Sequence, residues 1–484
     1  MSEHPQSCPT RRRIFCNRTL NLRSIAAIGY DMDYTLIHYN VREWEGRAYA
    51  HTQARLIDMG WPVEHLEFDS ELVSRGLVID RELGNIVKAN RFGYIKQALH
   101  GTKPLKFQPL RRAYARQLVD LGDSRYAFLN TLFSISEACI YCQLVDMFDD
   151  GMLPDVRDYS DLAEHVRRAL DLAHVEGVLK QEIMSDPDRF VEDDPDTALA
   201  LLDQKQAGKK LMVITNSEWF YTNFMMKYAI ERHLPDGMKW RELFELVVVS
   251  ARKPAFFQND QPIFEIIDDE GRLKPVVGKI ERNKAYLGGR ASHAEECLKL
   301  DGERILYVGD HIYGDVNVSK QISRWRTALV LREMEHEVEA IEAHRDGQNE
   351  ISRLMVMKEM MEHEMSETRL ELQRNTSGYG PQTDRHPDTL RTEMTNQRDA
   401  LVELDAKIGP LVGIDGSESN ATWGYLLRAG NDKSHLTRQL ERYADIYTSR
   451  VSNFLYYTPF MYFRSPRGSL PHDPIELPES SNRR

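Results

Sequence analysis

The stretch Ser24-Ile25-Ala26-Ala27-Ile28-Gly29-Tyr30-Asp31-Met32-Asp33-Tyr34-Thr35-Leu36 decides the reading of this chain. Its first half is a short apolar run, the length of a strand buried on both faces. Its second half sets two carboxylates two residues apart immediately after that run. In an open parallel sheet, ligands bind outside the carboxyl ends of the strands. A DxDxT at such an end is a candidate reaction centre, so the rest of the sequence is read for strands that end beside it.

Further runs of the same kind follow. Leu211–Thr215 (LMVIT) leads into Asn216-Ser217, and Leu243–Ser250 into Ala251-Arg252-Lys253-Pro254. Arg304–Asp310 (RILYVGD) leads into His311-Ile312-Tyr313-Gly314-Asp315, and Thr327–Leu331 (TALVL) is the last. Helical patterns such as Trp219–Ala229 and His293–Leu300 lie between them. The alternation predicts an α/β fold with a Rossmann-like parallel sheet.

About 180 residues separate the first two strands, where a crossover needs only a few tens. A domain is therefore inserted. Its early part, RGLVIDRELGNIVKANRFGYIKQALHG, predicts strand–turn–strand on Gly84-Asn85. From about Arg111 to Gln204 the pattern is mostly helical. The expected layout is a loosely ordered N-terminus (1–20), a catalytic core (21–110 and 205–465), a helical cap for substrate (111–204) and a mobile tail (466–484). A charged, Met- and Glu-rich extension at 332–408, broken at Ser377–Pro387, predicts a helical hairpin. A solvated pair of helices explains it better than a coiled-coil partner site.

Composition limits the chemistry. Among 484 residues, 41% are hydrophobic, enough for a real core, and 63 Lys+Arg against 75 Asp+Glu leave a net charge of −12. An acidic chain without a basic block argues against bulk nucleic-acid binding, though not against a small anionic substrate. Cys139 and Cys142 form a CxxC without a second pair at zinc spacing, and their setting reads as a buried helix. No run of about 18 apolar residues predicts a membrane helix, and MSEHPQSCPTRRR has no apolar stretch after it. The cytoplasm is the expected location, with no membrane partner.

The rim formed by these strand ends suits phosphoryl transfer. A carboxylate, Asp31, can attack phosphorus and form an aspartyl phosphate. Two anions repel, so Asp31 and Asp310 would hold Mg²⁺, a hard ion that prefers carboxylates and phosphate oxygens. Asp33 can protonate the leaving oxygen and later activate water. Thr215 and Asn216 can bond the phosphoryl oxygens, and Lys253 can neutralise them. Each piece alone is ordinary; their order after successive strands carries the weight.

With these motifs the chain resembles the haloacid dehalogenase superfamily of phosphatases. Through DMDYTL, RGLVID, LGN, LNTLF, ARKPAFF, GDHIYGD, WRT, RYADIY and NFLYY it resembles the cytosolic purine 5′-nucleotidase family, specific for IMP and GMP, from about Ile25 to His472. The resemblance implies that Asp31 is nucleophile and metal ligand. Asp33 would be the acid/base and give its backbone carbonyl to Mg²⁺. Ser217 would join Thr215, Asn216 and Lys253 on the phosphate, and Asp315 would support Asp310 at the metal. It implies further that Phe133, Arg167, Asp171, His174 and Lys180 bind the substrate. Residues 167, 171 and 174 fall on one helical face. Arg167 could donate to the carbonyl of a 6-oxopurine, Asp171 accept from its ring N–H, and Phe133 stack on the ring. The plainer alternative for this helix is a charged face turned to solvent.

Animal members are activated by nucleotides at a second site, which Asn130, Tyr313, Lys320, Gln439, Arg442 and Tyr443 resemble. Gln321 stands where a further lysine is expected, and the acidic C-terminal run is absent. The resemblance also implies a nucleoside phosphotransferase side reaction and a homo-oligomer, dimer or tetramer. Two rival readings stand beside it. One is a phosphatase for another phosphomonoester such as a sugar phosphate. The other is a non-catalytic member that binds nucleotide or a partner, against which the intact pair Asp31 and Asp33 argues.

Overall fold

The computed structural model describes residues 8–175, 177–412 and 420–468. The segments 1–7 and 469–484, including most of the expected tail, lie outside them. Two compact units emerge, 1–337 with 425–466, and 338–424 with 467–484.

The first unit is built on a ten-stranded sheet. In spatial order its strands are Phe15–Cys16, Ile446–Thr448, Arg326–Val330, Ile305–Gly309, Ala27–Tyr30, Lys210–Ile214, Phe244–Val249, Lys284–Gly288, Ile263–Ile266 and Leu273–Pro275. From Ile446–Thr448 through Lys284–Gly288 the strands run parallel. Only the two edges are antiparallel. The central strands are short, apolar and buried along nearly their whole length, as a sheet covered on both faces requires. A core cluster of Met212, Ile214, Leu246, Val248, Phe256, Phe257, Tyr307 and Trp325 packs on it. The α/β fold with a parallel sheet is as the sequence predicts.

Register fixes the site. Ala27–Tyr30 lies between Lys210–Ile214 and Ile305–Gly309, with Gly29 opposite both Met212 and Tyr307. The residues after these three strands, Asp31, Thr215 and Asp310, therefore emerge side by side.

Three expected boundaries fall differently. Residues 8–20 are not loosely ordered: Phe15–Cys16 pairs with Ile446–Thr448, and Leu20–Asn21 with Tyr462–Phe463. Their backbone bonds to the far end of the chain, which composition cannot show. The boundary at 110/111 falls inside a second, five-stranded antiparallel sheet, where Tyr126–Phe128 pairs with Val78–Asp80. That sheet contains the expected hairpin, Val78–Asp80 with Asn85–Ala89. At the other end, helix Asp196–Gln206, placed in the cap by the sequence, packs on the core strand Lys210–Ile214, and Gln204 accepts a hydrogen bond from Tyr30. The chain enters and leaves the insert through a two-stranded ribbon, His38–Tyr39 with Val191–Glu192. Beyond it, helices Val41–Asp58, Ile135–Asp149 and Tyr159–Val175 pack on one another. Asn40 caps the first of them by accepting from the backbone N–H groups of Arg42 and Glu43.

The second unit contains the hairpin of helices Arg345–Ser377 and Pro387–Val412. Leu354, Leu404 and Ile408 form its small apolar seam, and Lys358 pairs with Asp405 at 2.6 Å. No helix among the described residues is long and apolar enough to cross a membrane.

Candidate active site

Two glycines make room for the site. A Cβ on Gly29 would lie 2.9 Å from the ring of Tyr307, so only glycine lets that ring lie across the strand. The Tyr307 hydroxyl donates to the Ile214 carbonyl at 2.8 Å and accepts from Lys253 Nζ at 3.1 Å. A Cβ on Gly309 would overlap the Asp315 carboxylate. Lys253 Nζ lies between two acids, 2.8 Å from Asp31 Oδ1 and 2.7 Å from Asp315 Oδ1. Asp31 caps its own loop by accepting from Met32 N–H at 2.8 Å.

Asp33 faces another set of partners. Tyr39 donates to its Oδ1 at 2.5 Å and Ser217 to its Oδ2 at 2.7 Å. Burial pushes its carboxyl above the usual range, Tyr39 opposes the rise, and Asp31 adds to it. Thr215 is fully buried. Its hydroxyl accepts from Ser217 N–H at 3.1 Å and keeps its own proton to donate. Asn216 clasps the next loop, accepting from Lys253 N–H at 2.6 Å and donating to its carbonyl at 3.2 Å. Tyr34, Ser250 and Arg252 hold left-handed backbone at these strand ends, where functional loops store strain.

The donor set for a cation is present. Asp31, Asp310 and Asp315 each offer a carboxylate oxygen, and the three oxygens lie within 4.8 Å of one another. Arg75, buried, donates to the Asp310 carbonyl at 3.1 Å and to Glu333 at 2.8 Å, with Asp310 Oδ2 at 3.9 Å. Thr131 donates to that Oδ2 at 2.9 Å, and His311 N–H to Asp315 Oδ2 at 3.1 Å. Burial, then the neighbouring Asp315 and Asp31, pushes the Asp310 carboxyl far above its ordinary range. Carboxylates crowded so closely in a dry place fit a hard divalent ion that would relieve their repulsion.

The insert's residues divide into two groups. Arg167 and Asp171 are exposed on helix Tyr159–Val175. Arg167 lies 3.8 Å from Glu137, whose half-buried carboxyl also feels Arg81 and Asp171. Lys180 instead pairs with Glu218 at 2.6 Å and sits over the Tyr221 ring at 5.1 Å. Phe133 is half-buried and meets Tyr34 edge-on at 4.7 Å. The His174 side chain lies outside the described residues. Of the second-site positions, Tyr313 is exposed on the π-helical turn Ile312–Asn317, against which helix His435–Tyr443 packs. Asn130 precedes Thr131, Gln439 contacts His435 at 3.2 Å, and the Arg442 guanidinium lies 5.2 Å over Tyr443. Lys320 pairs with the buried Asp445 at 2.7 Å. Cys139 and Cys142 are buried on helix Ile135–Asp149, and burial pushes the Cys139 thiol up to about 12, so they are inert.

Sequence reasoning missed Arg75, Thr131, Tyr39, Tyr221, Tyr307 and Glu137. Thr131 stood inside the quoted LNTLF and Tyr39 follows DMDYTL closely, but neither carries a spacing that marks a role.

The model of the 5′ nucleotidase family matches residues 14–475. A 5′-nucleotidase domain-containing protein of Dictyostelium discoideum is 27% identical over 469 residues, covering 95% of this chain and 74% of its own length. The human 5′-nucleotidase domain-containing protein 2 is 25% identical over 476 residues, covering 95% of this chain and 85% of its own. Among solved structures, a predicted phosphoglycolate phosphatase from Haemophilus somnus aligns at 14% identity with a TM-score of 0.27, over 63% of this chain and 85% of that one.

Proposed function

The chain belongs to the 5′ nucleotidase family and is a phosphoric monoester hydrolase, and on that premise we propose that it hydrolyses purine nucleoside 5′-monophosphates, IMP and GMP foremost, through an aspartyl phosphate. The observation that carries the reading is the meeting of Asp31, Asp33, Thr215, Lys253 and Asp310 at one rim of one sheet, each supplied by a different strand end except the first pair.

Asp31 attacks phosphorus, and the P–O5′ bond breaks. Asp33 gives its proton to the departing oxygen. Its carboxylate then takes a proton from water as that water attacks phosphorus, the bond to Asp31 breaks, and phosphate leaves. Thr215 and Lys253 offer an O–H and a charge to the phosphoryl oxygens. Asp31, Asp310, Asp315 and the backbone carbonyl of Asp33 would hold Mg²⁺, which when bound neutralises charge on phosphate and nucleophile. A nucleoside in place of water gives the phosphotransferase reaction.

The base is read by the insert. Arg167 can donate to the 6-carbonyl and Asp171 accept from the ring N–H. Both are exposed and lie near the same half-buried Glu137, which supports a polar surface there for the base. A phosphate-release screen over IMP, GMP, AMP and sugar phosphates tests this. IMP and GMP should lead; a sugar phosphate turned over faster than every nucleotide would replace the purine reading.

A further inference from the structure

Asp33 has a neighbour that the reaction scheme leaves unused. The Tyr39 phenol donates to Asp33 Oδ1 at 2.5 Å, and its oxygen is also 3.0 Å from the Tyr221 hydroxyl. Tyr39 has one proton and spends it on Asp33, so Tyr221 is the donor in the second bond. The chain runs one way, Tyr221 to Tyr39 to Asp33. All three residues are buried, and burial together with the nearby Asp33 pushes both phenols well above their ordinary range, so they stay protonated donors.

The anchoring is two-sided. Ser217 donates to the other oxygen, Oδ2, at 2.7 Å. A carboxyl gripped on both oxygens cannot spin about its Cβ–Cγ bond. Each oxygen keeps a second position, which can carry the proton given to the leaving oxygen or accept one from water. Tyr39 is held as well: its ring packs on Trp44 at 4.4 Å and on Tyr34 at 5.2 Å. Its backbone belongs to the ribbon His38–Tyr39 and Val191–Glu192, where the chain crosses into the insert.

We propose that Tyr39, backed by Tyr221, is a positioning residue that holds Asp33 at the angle from which it protonates the leaving oxygen. This rests on the reading of Asp33 as acid/base. Phenylalanine keeps the ring and its packing and removes only the hydroxyl, so Tyr39→Phe isolates the bond.

The test compares leaving groups in single-turnover phosphorylation. An alkoxide must be protonated as it departs, whereas p-nitrophenolate departs unaided. Tyr39→Phe should slow phosphoryl transfer from IMP and from glycerol 2-phosphate by about ten- to a hundredfold, part of what an acid contributes. It should change KM less than about threefold and leave p-nitrophenyl phosphate nearly unaffected. Tyr221→Phe should act in the same direction with a smaller effect, and it gives a second reading should Tyr39→Phe fold poorly. An equal fall on alkyl and aryl substrates, or none on either alkyl substrate, overturns the proposal. Asp33→Asn run in parallel separates the causes. If it shows leaving-group dependence and the tyrosine variants do not, the positioning role alone is wrong. If it shows none, the acid/base reading fails and takes the proposal with it.

Discussion

Lys253 Nζ lies 2.8 Å from Oδ1 of Asp31, in direct contact. Asp31 and the Lys253 side chain are buried, and the same ammonium reaches Asp315. Burial pushes the Asp31 carboxyl up to about 7, Lys253 pulls it back, and Asp315 adds to the rise. Lys253 is therefore what allows a dry carboxylate to stay ionised enough to attack. Removing it leaves two buried acids without their counter-ion. Lys253→Ala should lower stability by about 3–5 kcal/mol, the cost of breaking a buried pair, and abolish turnover. Thermal denaturation and phosphate release read the two effects.

Asp31→Asn should leave a folded protein without detectable phosphate release from IMP, since an amide forms no acyl phosphate. Circular dichroism checks the fold. Substantial turnover by that variant would falsify the assignment of the nucleophile.

Activity should vanish with a chelator and return with Mg²⁺. Ca²⁺ should restore little, because its larger and looser shell misplaces the phosphate. Full turnover after exhaustive chelation would contradict the roles given to Asp310 and Asp315.

Adenine donates at position 6 and accepts at nitrogen 1, the reverse of a 6-oxopurine, so AMP would face Arg167 and Asp171 with two mismatches. At about 1–3 kcal/mol each and ~1.4 kcal/mol per tenfold, IMP and GMP should exceed AMP by on the order of a hundredfold in kcat/KM. Arg167→Ala should cut IMP far more than AMP. An unchanged ratio means that this helix does not read the base.

The buried Asp445 gives a pH test away from the chemistry. Burial raises its carboxyl, but Lys320 and Arg326 lower it further, to about 2. Unfolded, it titrates near ~3.9. A depressed carboxylate stabilises fully above the unfolded value and loses that contribution as pH falls through the folded one. Asp445→Asn should cost about 2–3 kcal/mol at pH 7, and the gap to wild type should narrow between about pH 4 and pH 2. Urea denaturation at several pH values measures it; a gap that widens in acid refutes the pairing.

Much of the site was legible because strands buried on both faces write a continuous apolar run and the chemistry follows directly after it. Asp31, Thr215, Lys253 and Asp310 all came from that rule, as did the parallel sheet. The partners of these groups were not legible. Arg75 reaches Asp310 across 235 residues and Thr131 across 179, and nothing local in a sequence reports such a meeting. Ser217, which the resemblance sets on the phosphate, also donates its hydroxyl to Asp33, a bond the sequence does not announce. The boundaries of the insert failed for a related reason. Composition shifts where helices begin, but a domain ends where backbone hydrogen bonding ends, as at Tyr126–Phe128.

The neighbouring strands Ala27–Tyr30 and Lys210–Ile214 have a consequence for assembly. They are adjacent in the sheet yet separated by about 180 residues, and Ile305–Gly309, on the other side, comes later still. Closing such loops makes folding slow, since the entropy is lost before the contacts form. On a ribosome the strand bearing Asp31 and Asp33 waits through the synthesis of the whole insert for its first partner. The nascent chain thus carries an unpaired, apolar strand edge throughout that interval, when a holdase chaperone has most to protect.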